Sequence, residues 1–144
     1  VAGSQSRLAQ NVLGGDVFAS YAFSNTYKDA GIFGLYGACV GGSQDSTLAA
    51  LMKEMDGAAA KACDAGELQR AKVQLKAIVA SNLESRSGNL EDIGSQAMVY
   101  GGVKSGAEIF AAIDSVTAAQ VKNAAAGLLK STPSVAALGD ISGL

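Results

Sequence analysis

The stretch DVFASYAFSNTYKDAGIFGLYGACV, Asp16–Val40, decides the fold. Val17, Ala19, Tyr21 and Phe23 share one face at period two, and Phe18, Ser20, Ala22, Ser24 and Thr26 share the other. That alternation marks a half-buried strand. Asn25–Gly31 carries turn chemistry: Asn and Asp bond to nearby backbone, and Gly accepts positive φ. Ile32–Val40 is then apolar on both faces. Ile32, Tyr36, Ala38 and Val40 point one way, and Phe33, Leu35 and Cys39 the other. Such a strand is expected in the middle of a sheet, covered on both sides. The stretch reads as a long hairpin with its second strand deep in a sheet.

Before the hairpin, Leu8, Ala9 and Val12 stand at helical spacing, so Ser4–Leu13 reads as a short helix that Gly14-Gly15 ends. After it, Gly41-Gly42-Ser43 breaks the strand. A glycine pair before a helix can hold phosphate, but no Lys-Ser/Thr follows, and a simple turn is the reading. The next helix starts at Ser43–Thr47 with the stripe Leu48, Leu51, Met52, Met55, Ala59, Ala62 and Cys63.

Asp64 with Glu67 three residues on opens the longest helix. Its stripe of Leu68, Ala71, Leu75, Ile78, Val79 and Leu83 is expected to form the main wall of the core, with Arg70, Lys72 and Lys76 on a solvated flank. Ser85–Gly88 stops it. Asn89-x-x-Asp92 starts a short helix with Leu90, Ile93, Ala97 and Tyr100 on one face, ended by Gly101-Gly102. Ser105-x-x-Glu108 and Thr117-x-x-Gln120 are capping boxes of two more, the second with Val116 and Val121 as its hydrophobic staple. Pro133 forbids continuation of the last helix beyond Lys130, and Ser134–Ile141 reads as a final strand with Val135, Ala137 and Leu138 inside. The order is helix, two strands, several helices, one strand. This is α+β, a mostly antiparallel sheet packed on one side by helices. Residues 1–144 read as a single domain.

Composition narrows the chemistry. A chain of 144 residues can bury a core, and 49% hydrophobic with 17% charged residues is ordinary for a globular protein. A net charge of −2 argues against nucleic acid as a partner. No apolar run approaches the roughly 20 residues of a membrane span. No signal-peptide pattern opens the chain at Val1, so it reads as a mature or truncated chain. Cys39 and Cys63 are expected as buried, reduced thiols. There is no histidine, so no Ser-His or Cys-His nucleophile pair and no His-bearing zinc site can form. The carboxylates Glu67, Glu84, Glu91 and Asp92 read as capping and solvated groups. The residues by themselves describe a non-catalytic module, with no catalytic and no metal-ligating residue.

A series of blocks carries a likeness: SRLAQNVL (6–13), AFSNTYKDAGIFGLYG (22–37), ELQRAK (67–72), NLESR (82–86), EDIGSQ (91–96), YGG (100–102), IDSVT (113–117) and AALGDI (136–141). In this order they resemble the C-terminal half of pitrilysin-type (insulinase-type) zinc metallopeptidase subunits. The branch most similar is that of the α subunit of mitochondrial processing peptidase and the second core protein of ubiquinol–cytochrome c reductase. The resemblance implies most of a C-terminal α+β domain that lacks its opening strands. It implies a non-catalytic subunit that helps bind presequence peptides for cleavage by a β-type partner, which holds zinc through H-x-x-E-H. The alternative is a structural core subunit that meets the other subunits of the reductase and has no peptidase activity. Either places it in the mitochondrial matrix or on the matrix face of the inner membrane.

Active relatives place an Arg seven residues before a Tyr in this domain, to steady the peptide carbonyl. Tyr21 matches the Tyr and is the candidate substrate-binding residue. Gly14 stands where the Arg would be, and no Arg lies between Arg7 and Tyr21. The α-type glycine-rich substrate loop would fall in or before residues 1–5, with Gly3 and Ser4 at its end. No cofactor is expected in this chain.

Overall fold

The computed structural model describes residues 6–139. Ser4 and the end of the expected final strand, Asp140 and Ile141, lie outside them. The elements in order are α1 (Arg7–Asn11), β1 (Val17–Thr26), β2 (Gly31–Cys39), α2 (Gln44–Ala60), α3 (Ala65–Glu84), α4 (Arg86–Tyr100), α5 (Gly106–Ser115) and α6 (Ala118–Leu128). The class is α+β, as read. The chain divides into two compact units. One holds the residues up to Asn25, Gly31–Ala62 and those from Ala119 on; the other holds Thr26–Ala30 and Cys63–Ala118.

In the first unit, β1 and β2 form a two-stranded antiparallel sheet with α2 packed on β2. Gly37 makes that packing possible. A Cβ there would stand 3.0 Å from both Leu51 Cδ1 and Thr47 Cγ2. Leu8, Val12 and Leu51 form the buried core, with Val17, Leu35 and Ala50 against it. Thr47 is buried too, but its hydroxyl donates to the Ser43 carbonyl at 2.7 Å. The foot of the hairpin is tied to the start of α2 by the Ser43 hydroxyl, which donates to Asp16 Oδ2 at 2.7 Å. Asn11 Nδ2 donates to Glu54 Oε1 at 3.0 Å and joins α1 to α2.

Two expectations for this unit are corrected. First, β2 is not a central strand: among the described residues only β1 pairs with it, and Ile32, Phe33 and Tyr36 are exposed. Its apolar content demands more cover than two strands and one helix supply. Second, no strand forms over the described part of 134–141. Val135 and Leu138 stand exposed, so the segment has no apolar surface against which to be held extended. The half-buried strand β1 is covered on its hydroxyl side. Tyr21 and Tyr36 share a face, whereas Gly37 faces α2, so alternation places Ser20 on the α2 side. Ser20 is buried there and its Oγ has no hydrogen-bond partner.

The second unit is helical. Asp64 caps α3 by accepting from the Glu67 N–H at 2.7 Å. α3 packs on α4 and on α5, but it is not the main wall of the core, since none of its residues is buried. Leu75 and Ile78 of the expected inward stripe are exposed, at 48% and 45%. Lys72 and Lys76 are half-buried, as are Leu68, Val79 and Leu83 of the stripe. Lys72 Nζ donates to the Asp114 carbonyl and Lys76 Nζ to Asp114 Oδ1, both at 2.8 Å. Those two bonds join α3 to the last turn of α5. α4 begins three residues earlier than read. Ser85 ends α3 and at once caps α4, accepting from the Gly88 N–H at 3.3 Å. Gly101, in the left-handed region at φ 70°, ends α4. The Ser105–Glu108 capping box is present as read.

Candidate functional site

Tyr21 projects from the open side of the hairpin, opposite the side that α2 covers. The turn fixes what stands across from it. The Tyr27 N–H donates to the Ala30 carbonyl at 2.9 Å, so 27 pairs with 30. Steps of two along both strands then set 25 against 32, 23 against 34 and 21 against 36. The side chains agree. The Tyr21 and Tyr36 rings stack with centroids 4.7 Å apart at 24°, and the Phe23 ring covers Gly34, where a Cβ would collide with it. Ile32 and Tyr36 are exposed on β2, and Tyr21 on β1 is 40% exposed. The result is an aromatic platform with two phenol groups at its surface, which can take a side chain by stacking and a peptide group by hydrogen bond.

Tyr36 did not stand out in the sequence as a companion of Tyr21. The signal was the turn itself. Reading Asn25–Gly31 as one seven-residue loop leaves the register open, whereas a turn centred on Lys28-Asp29 defines it. Gly14, seven residues before Tyr21, has φ 128°, a conformation that residues with a side chain rarely adopt. It exchanges backbone hydrogen bonds with Val17 at 3.0 and 3.1 Å. The backbone here is shaped for glycine, so an arginine would be strained as well as absent. Arg7 opens α1, and Gly3 and Ser4 lie outside the described residues.

The acidic groups are in supporting roles. Asp92 Oδ2 accepts from Gln96 Nε2 at 2.7 Å, and Gln96 Oε1 accepts from the Lys104 N–H at 2.9 Å, which anchors the loop after α4. Glu108 accepts from both the hydroxyl and the N–H of Ser105, each at 2.7 Å. Those bonds, the hydroxyl first, hold its carboxyl below the ordinary value of 4.5, with a smaller contribution from the Lys104 charge. Cys39 and Cys63 are free thiols, half-buried rather than buried. No group of three His, Cys, Asp or Glu that could hold a metal occurs among the described residues. The residues present do not fit a zinc site.

No family model matches the chain. Individual proteins do. It is 33% identical to the mitochondrial-processing peptidase subunit beta of Dictyostelium discoideum, over 94% of this chain and 29% of that protein. It is 33% identical to the mitochondrial-processing peptidase subunit alpha of Pongo abelii, over 99% of this chain and 27% of that protein. It is 31% identical to the cytochrome b-c1 complex subunit 2 of Mus musculus, over 94% and 30%. A chain of the solved structure of Complex III2 from Candida albicans with Inz-5 bound superposes with a TM-score of 0.69 and 25% identity, over 75% of this chain and 26% of that one. The chain thus spans less than a third of the length of these relatives. Over the part it spans, it belongs to the family of the mitochondrial-processing peptidase subunits and cytochrome b-c1 complex subunit 2.

Proposed function

We propose that the chain serves as an α-type, non-catalytic part of a presequence-processing peptidase. It contributes peptide contact to a β-type partner that holds the zinc. The observation that carries this reading is the hairpin's open face. Tyr21 is available on it, while Gly14 stands in a glycine conformation where active relatives are expected to carry the arginine. A tyrosine alone can hold a peptide group but supplies half of the carbonyl-binding pair. The zinc and its chemistry are then the partner's, and no step of the cleavage runs through this chain. Tyr21 is the substrate-contact residue of the reading, with Tyr36 beside it. The setting the reading implies is the mitochondrial matrix or the matrix face of the inner membrane, in keeping with relatives whose names are mitochondrial.

A second reading makes the chain part of a core subunit of ubiquinol–cytochrome c reductase, with no peptidase activity. The similarity to cytochrome b-c1 complex subunit 2 and to a Complex III2 chain favours it. Mixing the full-length parent protein with a β-type subunit separates the two. On the first reading the pair cleaves presequence peptides and the chain alone does not. Changing the partner's H-x-x-E-H glutamate to Gln abolishes cleavage, and Tyr21→Ala raises KM several-fold with little change in kcat. Cleavage that survives the partner's Gln substitution would put catalysis in this chain and overturn the reading. An inactive pair, with the chain recovered in the respiratory complex, establishes the second reading instead.

A further inference from the structure

A phenol that contacts substrate must be held where the substrate meets it. Among the described residues, no hydrogen bond reaches the Tyr21 side chain. On the same sheet face, Ala19 of β1 and Gly34 and Ala38 of β2 carry too little side chain to wall in a ring. A tyrosine turns about two side-chain bonds, and a rotamer jump at the first carries the hydroxyl, at the far end of the ring, well away from where it stood. The group that restrains the ring is Tyr36. The two centroids stand 4.7 Å apart with the planes at 24°. Tyr36 lies directly opposite Tyr21 in the register that the 27–30 turn sets, so both partners of the contact belong to one hairpin. The Phe23 ring lies over Gly34.

We propose that Tyr36 is the positioning residue of the site: its ring, stacked on Tyr21, holds the Tyr21 hydroxyl where a peptide carbonyl can accept from it. The inference rests on the proposed function and deepens it, because it assigns the two tyrosines different parts. Tyr21 acts through its hydroxyl, and Tyr36 acts through its ring. Stacking needs only the ring, so the Tyr36 hydroxyl is dispensable. Hydrogen bonds weaken steeply as their angle departs from linear, so a phenol free to swing binds a carbonyl less well than one held in place. Loss of a stacked aromatic neighbour should reduce the held orientation by about three- to tenfold.

The measurement is the Kd of a fluorescein-labelled, arginine-rich presequence peptide for the full-length parent protein mixed with a β-type subunit whose H-x-x-E-H glutamate is changed to Gln, so that the peptide is held uncleaved. Tyr21→Phe should raise Kd, because the hydroxyl is lost. Tyr36→Phe should leave Kd at the parent value, and Tyr36→Ala should raise it about three- to tenfold. On the Tyr21→Phe background, Tyr36→Ala should add nothing, since its effect runs through the Tyr21 hydroxyl. Circular dichroism melts matching those of the parent show that each variant folds. If Tyr36→Phe weakens binding as much as Tyr36→Ala, Tyr36 touches the peptide itself and the proposal is overturned. Full additivity in the double variant overturns it too, as does parent affinity for Tyr36→Ala beside a weakened Tyr21→Phe; both leave Tyr21 standing as the substrate contact. Parent affinity for Tyr21→Phe, or a parent mixture that holds no peptide, overturns the substrate-contact reading and the inference with it.

Discussion

At the scale of single residues, burial and partners decide outcomes that residue type does not. Leu51 and Leu75 are both leucines on the apolar stripe of a helix. Leu51 is 6% exposed and belongs to the core with Leu8 and Val12, whereas Leu75 is 48% exposed. Leu51→Ala should cost about 2–5 kcal/mol, and Leu75→Ala less than about 1 kcal/mol, measured by denaturant melts. Equal losses would mean that α3 buries the face its leucines mark. Ser20 presents the opposite case. Its hydroxyl is desolvated and receives nothing in return. Ser20→Ala should therefore leave stability unchanged or raise it by about 1 kcal/mol. A loss of similar size would reveal a hydrogen bond from that hydroxyl in solution.

At the scale of elements, helix ends and junctions carry the second unit. The turn between α3 and α4 is a single residue, Ser85, and it is tight enough that a Cβ on Gly88 would stand 2.7 Å from the Asn82 carbonyl oxygen. Backbone cannot yield as a side chain can, so Gly88→Ala should destabilise by about 1–3 kcal/mol. Gly94 lies in the same helix with nothing within 4 Å of its would-be Cβ. There the helix propensity of alanine acts alone, and Gly94→Ala should stabilise by about 0.5–1 kcal/mol. Paired thermal melts with opposite signs check the junction. The α5 capping box gives a pH signature. Ser105 holds the Glu108 carboxyl below 4.5 in the folded state. Its contribution is therefore fully present above the unfolded value and is lost as pH falls through the lower folded value. Below pH 4.5, melts of Glu108→Gln should fall less steeply with acid than those of the parent chain, and identical slopes would remove the box from the acid response.

At the scale of the whole molecule, the hairpin is the part that a function can be built on. Its strands, the turn chemistry and most helix starts were legible before any coordinates, because alternation and capping are local. The Ser105 box and the Gly101 stop stand where they were read. The register was not legible, because it depends on which two residues of a seven-residue polar stretch make the turn. Tyr36 joined Tyr21 only through that register. The covered face of the sheet was not legible for a related reason: apolar alternation says that one side is buried, and the helix that arrives, α2, decides which. Similarly, Leu75 and Ile78 of α3 stand exposed while Lys72 and Lys76 are half-buried and reach Asp114 of α5, contacts made across 42 and 38 residues of sequence.

By itself the sequence determined the α+β class, the hairpin and its helices, the absence of a histidine-based centre, and the likeness that the relatives bear out. Each of these rests on residue types or on spacings within one turn of chain. Only the tertiary structure decided which strand face lies open, that Tyr21 and Tyr36 form one platform, that Gly14 holds a backbone unsuited to arginine, and that among the described residues β2 pairs with β1 alone. These depend on which elements meet, and the energy of meeting is shared by residues far apart in the chain, where neither alternation nor helical period reaches.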